Sequence, residues 1–228
     1  MFLHSKKILH FYTSLRPPSV PKGVEVLFPM QEPNVKEIMN KFFDKFYSDN
    51  NPRTLLLGIN PGRFGAGVTG INFTAPKQLT GFCGIDHPFK MQSELSAEFI
   101  YAVINAFGGA KDFYSKFFVS AVSPLGYVKN GKNMNYYDDP ALQSSLRPFI
   151  IDCIQQQYDW NINHHTCLCI GGEKNFKFLS SLNQEYQWFK QIIPLPHPRF
   201  IMQYKRPRTA EFVSLYLREL AAAANYKL

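Results

Sequence analysis

Two short runs carry the side chains best suited to chemistry. The first, Gly58-Ile59-Asn60-Pro61-Gly62-Arg63-Phe64-Gly65-Ala66-Gly67, follows apolar Leu55-Leu56-Leu57 and sets an amide among glycines and a proline. The second, Pro194-Leu195-Pro196-His197-Pro198-Arg199, closes another apolar stretch and holds one titratable ring between prolines. Glycines let backbone N–H groups approach a ligand closely, and Pro61 stiffens the chain beside Asn60. Neither run contains Asp or Glu. An amide can orient a water molecule, and an imidazole with two nearby arginines can stabilise a developing anion. No strong base is on offer. Such a set suits a reaction whose leaving group departs as a delocalised anion. Each residue also has a plainer reading, because asparagine is favoured in tight turns and a lone histidine is more often structural.

Other chemistries lack their parts. A serine hydrolase would need a nucleophile elbow, and a phosphate-binding Walker loop would need Gly-Lys-Ser/Thr after the glycines. The cysteines Cys83, Cys153, Cys167 and Cys169 form no C-x-x-C pair. No metal site and no cofactor is therefore expected. Free thiols suit a reducing compartment, so a cytoplasmic or nuclear location is expected rather than secretion. Lys6 and Lys7 break the apolar character of the N-terminus, which resembles no signal peptide. Nowhere do 18 consecutive apolar residues occur.

Charge points to a partner. Lys and Arg number 25 against 17 Asp and Glu, a net charge of +8, which favours a polyanion such as nucleic acid or simply a basic surface. A 45% apolar composition is ample for the core of one domain spanning residues 1–228, expected to be a monomer.

The two runs must be positioned by the elements before them. Val24 to Phe28 reads as a short edge strand, while the rest of residues 1–33 carries no clear pattern. Asn34 and Glu37 resemble a capping pair ahead of a helix over 35–48, where Val35, Ile38, Met39, Phe42, Phe43 and Phe46 fall at helical spacing. A strand over 53–59 empties into the glycine run, and residues 63–92 read as one long loop. Leu95 to Phe107 is helical and stops at Gly108-Gly109; residues 117–123 form a second buried strand. A polar, tyrosine-rich surface loop is expected from Val128 to Tyr137, and Tyr136-Tyr137-Asp138 fits either a helix entry or a pocket rim. Asp139-Pro140 supplies an N-cap and first residue for a helix reaching about residue 158. Strand 166–170, helix 173–182, strand 191–195 and a closing helix around Phe212 to Leu220 complete the chain. Alternation of this kind predicts a three-layer α/β/α sandwich around a mainly parallel four-stranded sheet. In such a sheet the loops after all four strands open on one edge, so Asn60, Ser123-Pro124, Gly171-Gly172 and His197 meet there. Cleavage of a nucleobase N-glycosidic bond is one reaction that such an edge could perform.

The ordered motifs carry a resemblance. Gly58-Ile59-Asn60-Pro61-Gly62-x-Phe64-Gly65 through Thr69-Gly70-Ile71-Asn72-Phe73, then Ser93-Glu94-Leu95-Ser96, Phe118-Val119, Pro124-Leu125, Gly131-x-Asn133 and His197-Pro198, resembles the single-strand-selective monofunctional uracil-DNA glycosylase (SMUG) family. That family lies within the uracil-DNA glycosylase superfamily, and the likeness covers roughly residues 24–220. It implies a monofunctional glycosylase of base-excision repair that flips uracil or a related deaminated base out of DNA. By the same resemblance Asn60 positions the attacking water, and His197 donates to the departing base. Phe73 stacks on that base, while Ile59, Pro61 and Gly62 line its pocket. Arg63 and the segment Arg199 to Arg206 would meet DNA, with Phe200, Ile201 and Met202 as apolar wedges and Lys205 and Arg206 on phosphates.

Two departures shape the expectation. The family reads the base edge with an asparagine on the second strand, where this chain has Ala121. Discrimination then falls to Ser123, Asn133 or Asn135. The second motif also lacks the usual Ser-Pro between His-Pro and Arg, which alters the wedge. A catalytically silent nucleic-acid-binding module of the same fold is the alternative, and an enzyme of free nucleosides is a third reading.

Overall fold

The computed structural model describes residues 3–92 and 94–225; Ser93, part of one motif above, lies outside them. Helix α1 (His4–Ser14) leads to strand β1 (Val24–Leu27), helix α2 (Pro33–Phe46) and strand β2 (Arg53–Gly58). Short helices α3 (Ala66–Thr69) and α4 (Pro76–Gly81) precede α5 (Leu95–Ala106), α6 (Ala110–Lys116) and strand β3 (Phe117–Ala121). Strands β4 (Gly126–Lys129) and β5 (Lys132–Met134) are followed by α7 (Pro140–Tyr158) and β6 (Ile162–Ile170). Helix α8 (Gly172–Tyr186), strand β7 (Gln191–Leu195) and helices α9 (Pro198–Tyr204) and α10 (Thr209–Ala224) end the order.

The principal sheet runs β3-β2-β6-β7 with every pairing parallel. β2 is central and buried along its whole length, which is why its middle, Leu55-Leu56-Leu57, is an unbroken apolar run rather than an alternation. Helices flank this sheet to give the expected three-layer α/β/α architecture. The four carboxyl ends therefore share one edge, with Gly58 and Ala121 side by side in register.

Capping chemistry explains several helix starts. Asp139 accepts from the N–H groups of Ala141 and Leu142 at 2.8 and 3.1 Å, and Pro140 takes the first position of α7, as its sequence predicts. Glu94 caps α5 through the Ala97 N–H at 2.8 Å. At α2 the expectation fails. The helix starts at Pro33 with Glu32 before it, so Asn34 lies inside the first turn and makes no cap.

Three further regions differ from the sequence reading. Residues 63–92 are not a featureless loop but carry α3 and α4, each too short to show periodicity. The expected surface loop 128–137 belongs to a second sheet, order β1-β4-β5, antiparallel throughout. Asn130 and Gly131, at φ +51° and +70°, form the tight turn joining β4 to β5, the backbone that two-residue hairpin loops require. Tyr127 and Tyr136, at either end, are fully buried. β1 thus edges this small sheet and not the principal one.

Candidate active site

A cleft of about 140 Å³ opens at the carboxyl edge of the principal sheet, and both Asn60 and His197 line it. The glycine run reaches the cleft because the hairpin packs on it. A Cβ at Gly126 would sit 2.4 Å from the Pro61 carbonyl oxygen, so only glycine allows that approach. The hairpin's exit then clamps Asn60. Its Nδ2 donates to the Met134 carbonyl at 3.2 Å, and its Oδ1 accepts from the Tyr136 N–H at 3.0 Å. Tyr136 is anchored in turn through its hydroxyl to Asn175 Oδ1 at 2.8 Å. The amide is fixed in orientation while its oxygen keeps a second lone pair.

Opposite chemistry comes from the β7–α9 turn. His197 caps α9, its Nδ1 accepting from the Arg199 N–H at 3.1 Å. A neutral imidazole that accepts at Nδ1 carries its proton on Nε2. Burial, with Arg199 adding to it, lowers the His197 pKa to about 4, so the ring is neutral at physiological pH. The turn is held from behind by Tyr216, whose hydroxyl donates to the Pro196 carbonyl and whose ring packs edge-on against Phe99 at 5.0 Å. What results is a neutral N–H donor beside an oriented amide.

The same cleft has an aromatic lining residue. Phe73 lies at φ +53°, a left-handed conformation unusual for a bulky residue and found where function holds strain. A Cβ at Gly58 would approach its ring atoms to 2.9 Å, so the glycine is what lets this ring lie over the strand end. Ala121, next to Gly58 in register, contributes only a methyl group to the cleft.

Comparison with known proteins gives the family. The Uracil DNA glycosylase superfamily profile matches residues 45–221. The chain belongs to that superfamily. Among solved structures, the wild-type SMUG2 of Pedobacter heparinus is similar at 42% identity and TM-score 0.95, over 99% of this chain and 100% of that one. No curated protein matched. The chain is thus a SMUG-like superfamily member, and DNA glycosylase chemistry is its class of activity.

Within this glycosylase fold the remaining predicted residues divide. Ile59, Pro61, Gly62, Asn133 and Asn135 line the cleft with Asn60 and Phe73. Asn133 accepts from the Arg63 N–H at 3.2 Å, tying the hairpin to the glycine run, while the half-buried Arg63 guanidinium lies 4.9 Å from the Phe64 ring centre. Ser123 is a correction. It is fully buried, its hydroxyl paired with the Tyr127 hydroxyl at 2.7 Å, and it does not reach the cleft, because β3 ends at Ala121 and the chain turns before it. Ile201 is a second correction, since α9 turns it into the core at 0% exposure, where it cannot act as a wedge. Met202 is half-buried against the same core. Arg199, Phe200, Lys205 and Arg206 are exposed.

Sequence reasoning missed the Tyr136 clamp and the cleft-lining Asn72, and within the segment 199–206 it gave Tyr204 no role of its own. Tyr204 is 65% exposed with its ring centre 5.7 Å from that of Phe200, so the aromatic tip of α9 is a pair. Its spacing of four residues from Phe200 was the available signal.

Proposed function

We propose that the protein is a monofunctional DNA glycosylase that hydrolyses the N-glycosidic bond of uracil or a related deaminated base. The nucleotide leaves the duplex and its base enters the cleft against Phe73. Asn60, clamped by Met134 and Tyr136, offers its free lone pair to a water directed at the sugar C1′. As the bond lengthens, negative charge gathers on the base, and the Nε2–H of neutral His197 donates to its O2. Water supplies the hydroxyl at C1′, and its proton goes to solvent or the departing base. The exposed cluster of Arg199, Phe200, Tyr204, Lys205 and Arg206 meets the backbone and fills the gap left by the flipped nucleotide.

One observation carries the reading: the clamped amide, the neutral imidazole donor and the Phe73 ring line one cleft. The experiment is incubation with single- and double-stranded oligonucleotides bearing uracil, hypoxanthine or xanthine, followed by alkali. Strand breaks at the lesion are expected. Salt-sensitive binding with no breaks for any lesion would instead support a silent binding module.

A further inference from the structure

We propose that Asn72 reads the edge of the flipped base by accepting a hydrogen bond from a ring N–H. The inference deepens the glycosylase reading and depends on it. Ala121 leaves the strand side of the cleft without a polar group, so recognition of the base edge must come from another wall. Among the cleft's other polar side chains, Arg199 has only donors and Ser96 a single hydroxyl that can turn either way, and the rest are committed. Asn60 is clamped, His197 faces the leaving oxygen, Glu94 caps α5, and the exposed Asn133 is tied to Arg63. Asn135 bonds to Asp138 through both its backbone N–H and its amide.

Asn72 differs from all of these. It is only 8% exposed, and its Nδ2 donates to the Tyr12 hydroxyl at 2.9 Å. Tyr12 is itself fully buried and paired with Ser120 Oγ at 3.1 Å. This contact orients the amide, and among the described residues no donor reaches its carbonyl oxygen. That oxygen opens on the cleft rather than being sealed from water, so a base N–H there would take the place of solvent on an acceptor already oriented.

The backbone explains why Asn72 can share a cavity with Phe73. Asn72 and Phe73 are the two central residues of a turn closed by the Thr74 N–H on the Ile71 carbonyl at 3.1 Å. The left-handed φ of +53° at Phe73 is what the second central position of such a turn requires, and the tight reversal lets a flat ring and an amide from neighbouring residues line the same space. One covers the base's face and the other meets its edge. An acceptor there selects bases with a lactam N–H, such as uracil at N3 and hypoxanthine at N1. Cytosine and adenine carry a bare ring nitrogen at those places and would set lone pair against lone pair.

The test compares single-turnover release from oligonucleotides bearing deoxyuridine or N3-methyldeoxyuridine, in wild type, Asn72→Ala and Tyr12→Phe. Binding of free uracil and free 3-methyluracil is measured by calorimetry alongside. Wild type is expected to favour the N–H base in both assays. Asn72→Ala should lower uracil release about tenfold or more and bring the two substrates together, with the methyl group now accommodated. Tyr12→Phe leaves the amide in place but unoriented, and should narrow the same ratio part-way even if Asn72→Ala folds poorly. Undiminished preference for uracil in both variants overturns the assignment to Asn72 and leaves the glycosylase reading intact. No base release and no uracil binding by wild type overturns both.

Discussion

The two ends of the principal sheet handle polar groups in opposite ways. At the amino edge Arg53, 0% exposed at its side chain, spends every donor on protein. Its guanidinium bridges both Asp49 oxygens at 2.7 and 3.1 Å and reaches the carbonyls of Tyr114, Asn51 and Phe46. At the carboxyl edge Asn60, Asn72 and His197 are each fixed by protein bonds and yet keep one acceptor or donor for a ligand. Closed networks hold a fold together, whereas oriented groups left open are what a reaction can use without reorganising them. On the proposed reading, the difference gives stability to one edge and chemistry to the other.

That division makes the largest effects opposite in kind. His197→Leu and Asn60→Ala each remove one oriented group and should slow single-turnover base release by about 2.7–4 kcal/mol of barrier. Melting temperature and DNA affinity should hardly move. Arg53→Met should do the reverse. It strands three backbone acceptors and one carboxylate, but Asp49 is 40% exposed and stays hydrated, so the loss belongs at the low end for a broken buried pair, about 3 kcal/mol. Denaturant melts read the stability, and the rate per folded molecule should equal wild type. An Arg53→Met protein that folds but releases base slowly would erase the distinction between the edges.

A pair of histidines sharpens it. His4, at the start of α1, is fully buried, and among the described residues neither ring nitrogen finds a partner. Its pKa is lowered to about 4, first by burial and then by Arg53 and Lys7, matching the value at His197. A ring that binds protons more weakly when folded lets the unfolded chain take them up first. Its stabilising contribution is therefore full above 6.5 and is lost as pH falls toward about 4. His4→Leu should flatten that acid slope by about 2 kcal/mol, discounted from the full shift for residual solvent screening. The rate should respond differently. Because His197 works as a neutral donor, base release by folded protein should stay level from neutrality through 6.5 and change only near 4. A rate that rises through 6.5 as the medium is acidified would mean that an imidazolium does the work.

Legibility in the sequence followed the same geography. Motifs confined to a few consecutive residues could be read directly, because turn chemistry and caps are local: the glycine run, the proline-flanked histidine and the Asp139 cap. Contacts that form only on folding could not. Tyr12 is buried by stacking on Phe43, 6.1 Å between ring centres, and α1 shows nothing by itself to announce that. Asn72 is oriented by a partner 60 residues away, and Asn60 by one 76 away. The hairpin was a different failure, for Asn130-Gly131 is a strong turn signal that the surrounding polar residues concealed. Ile201 and Phe200 illustrate a third limit. Adjacent apolar residues in a seven-residue helix gave no indication of which faced the core.

The smallest expected effect concerns the rim. Lys205 and Arg206 are exposed beside the α9 aromatic pair, while Lys6 is exposed on α1 and pairs with Asp44 at 3.2 Å. If the carboxyl edge alone meets DNA, Lys205→Gln or Arg206→Gln should each shallow the dependence of log affinity on log salt by about 0.9. The loss should be the same for uracil-containing and undamaged DNA, because phosphate contacts carry no information about the base. Release at saturating enzyme should be unchanged. Lys6→Gln, beginning from an equal formal charge, should leave the salt slope where it was. Equal shallowing by all three substitutions would mean that net charge, rather than this face of the sheet, attracts the polyanion, and the contrast between the edges would then concern chemistry alone.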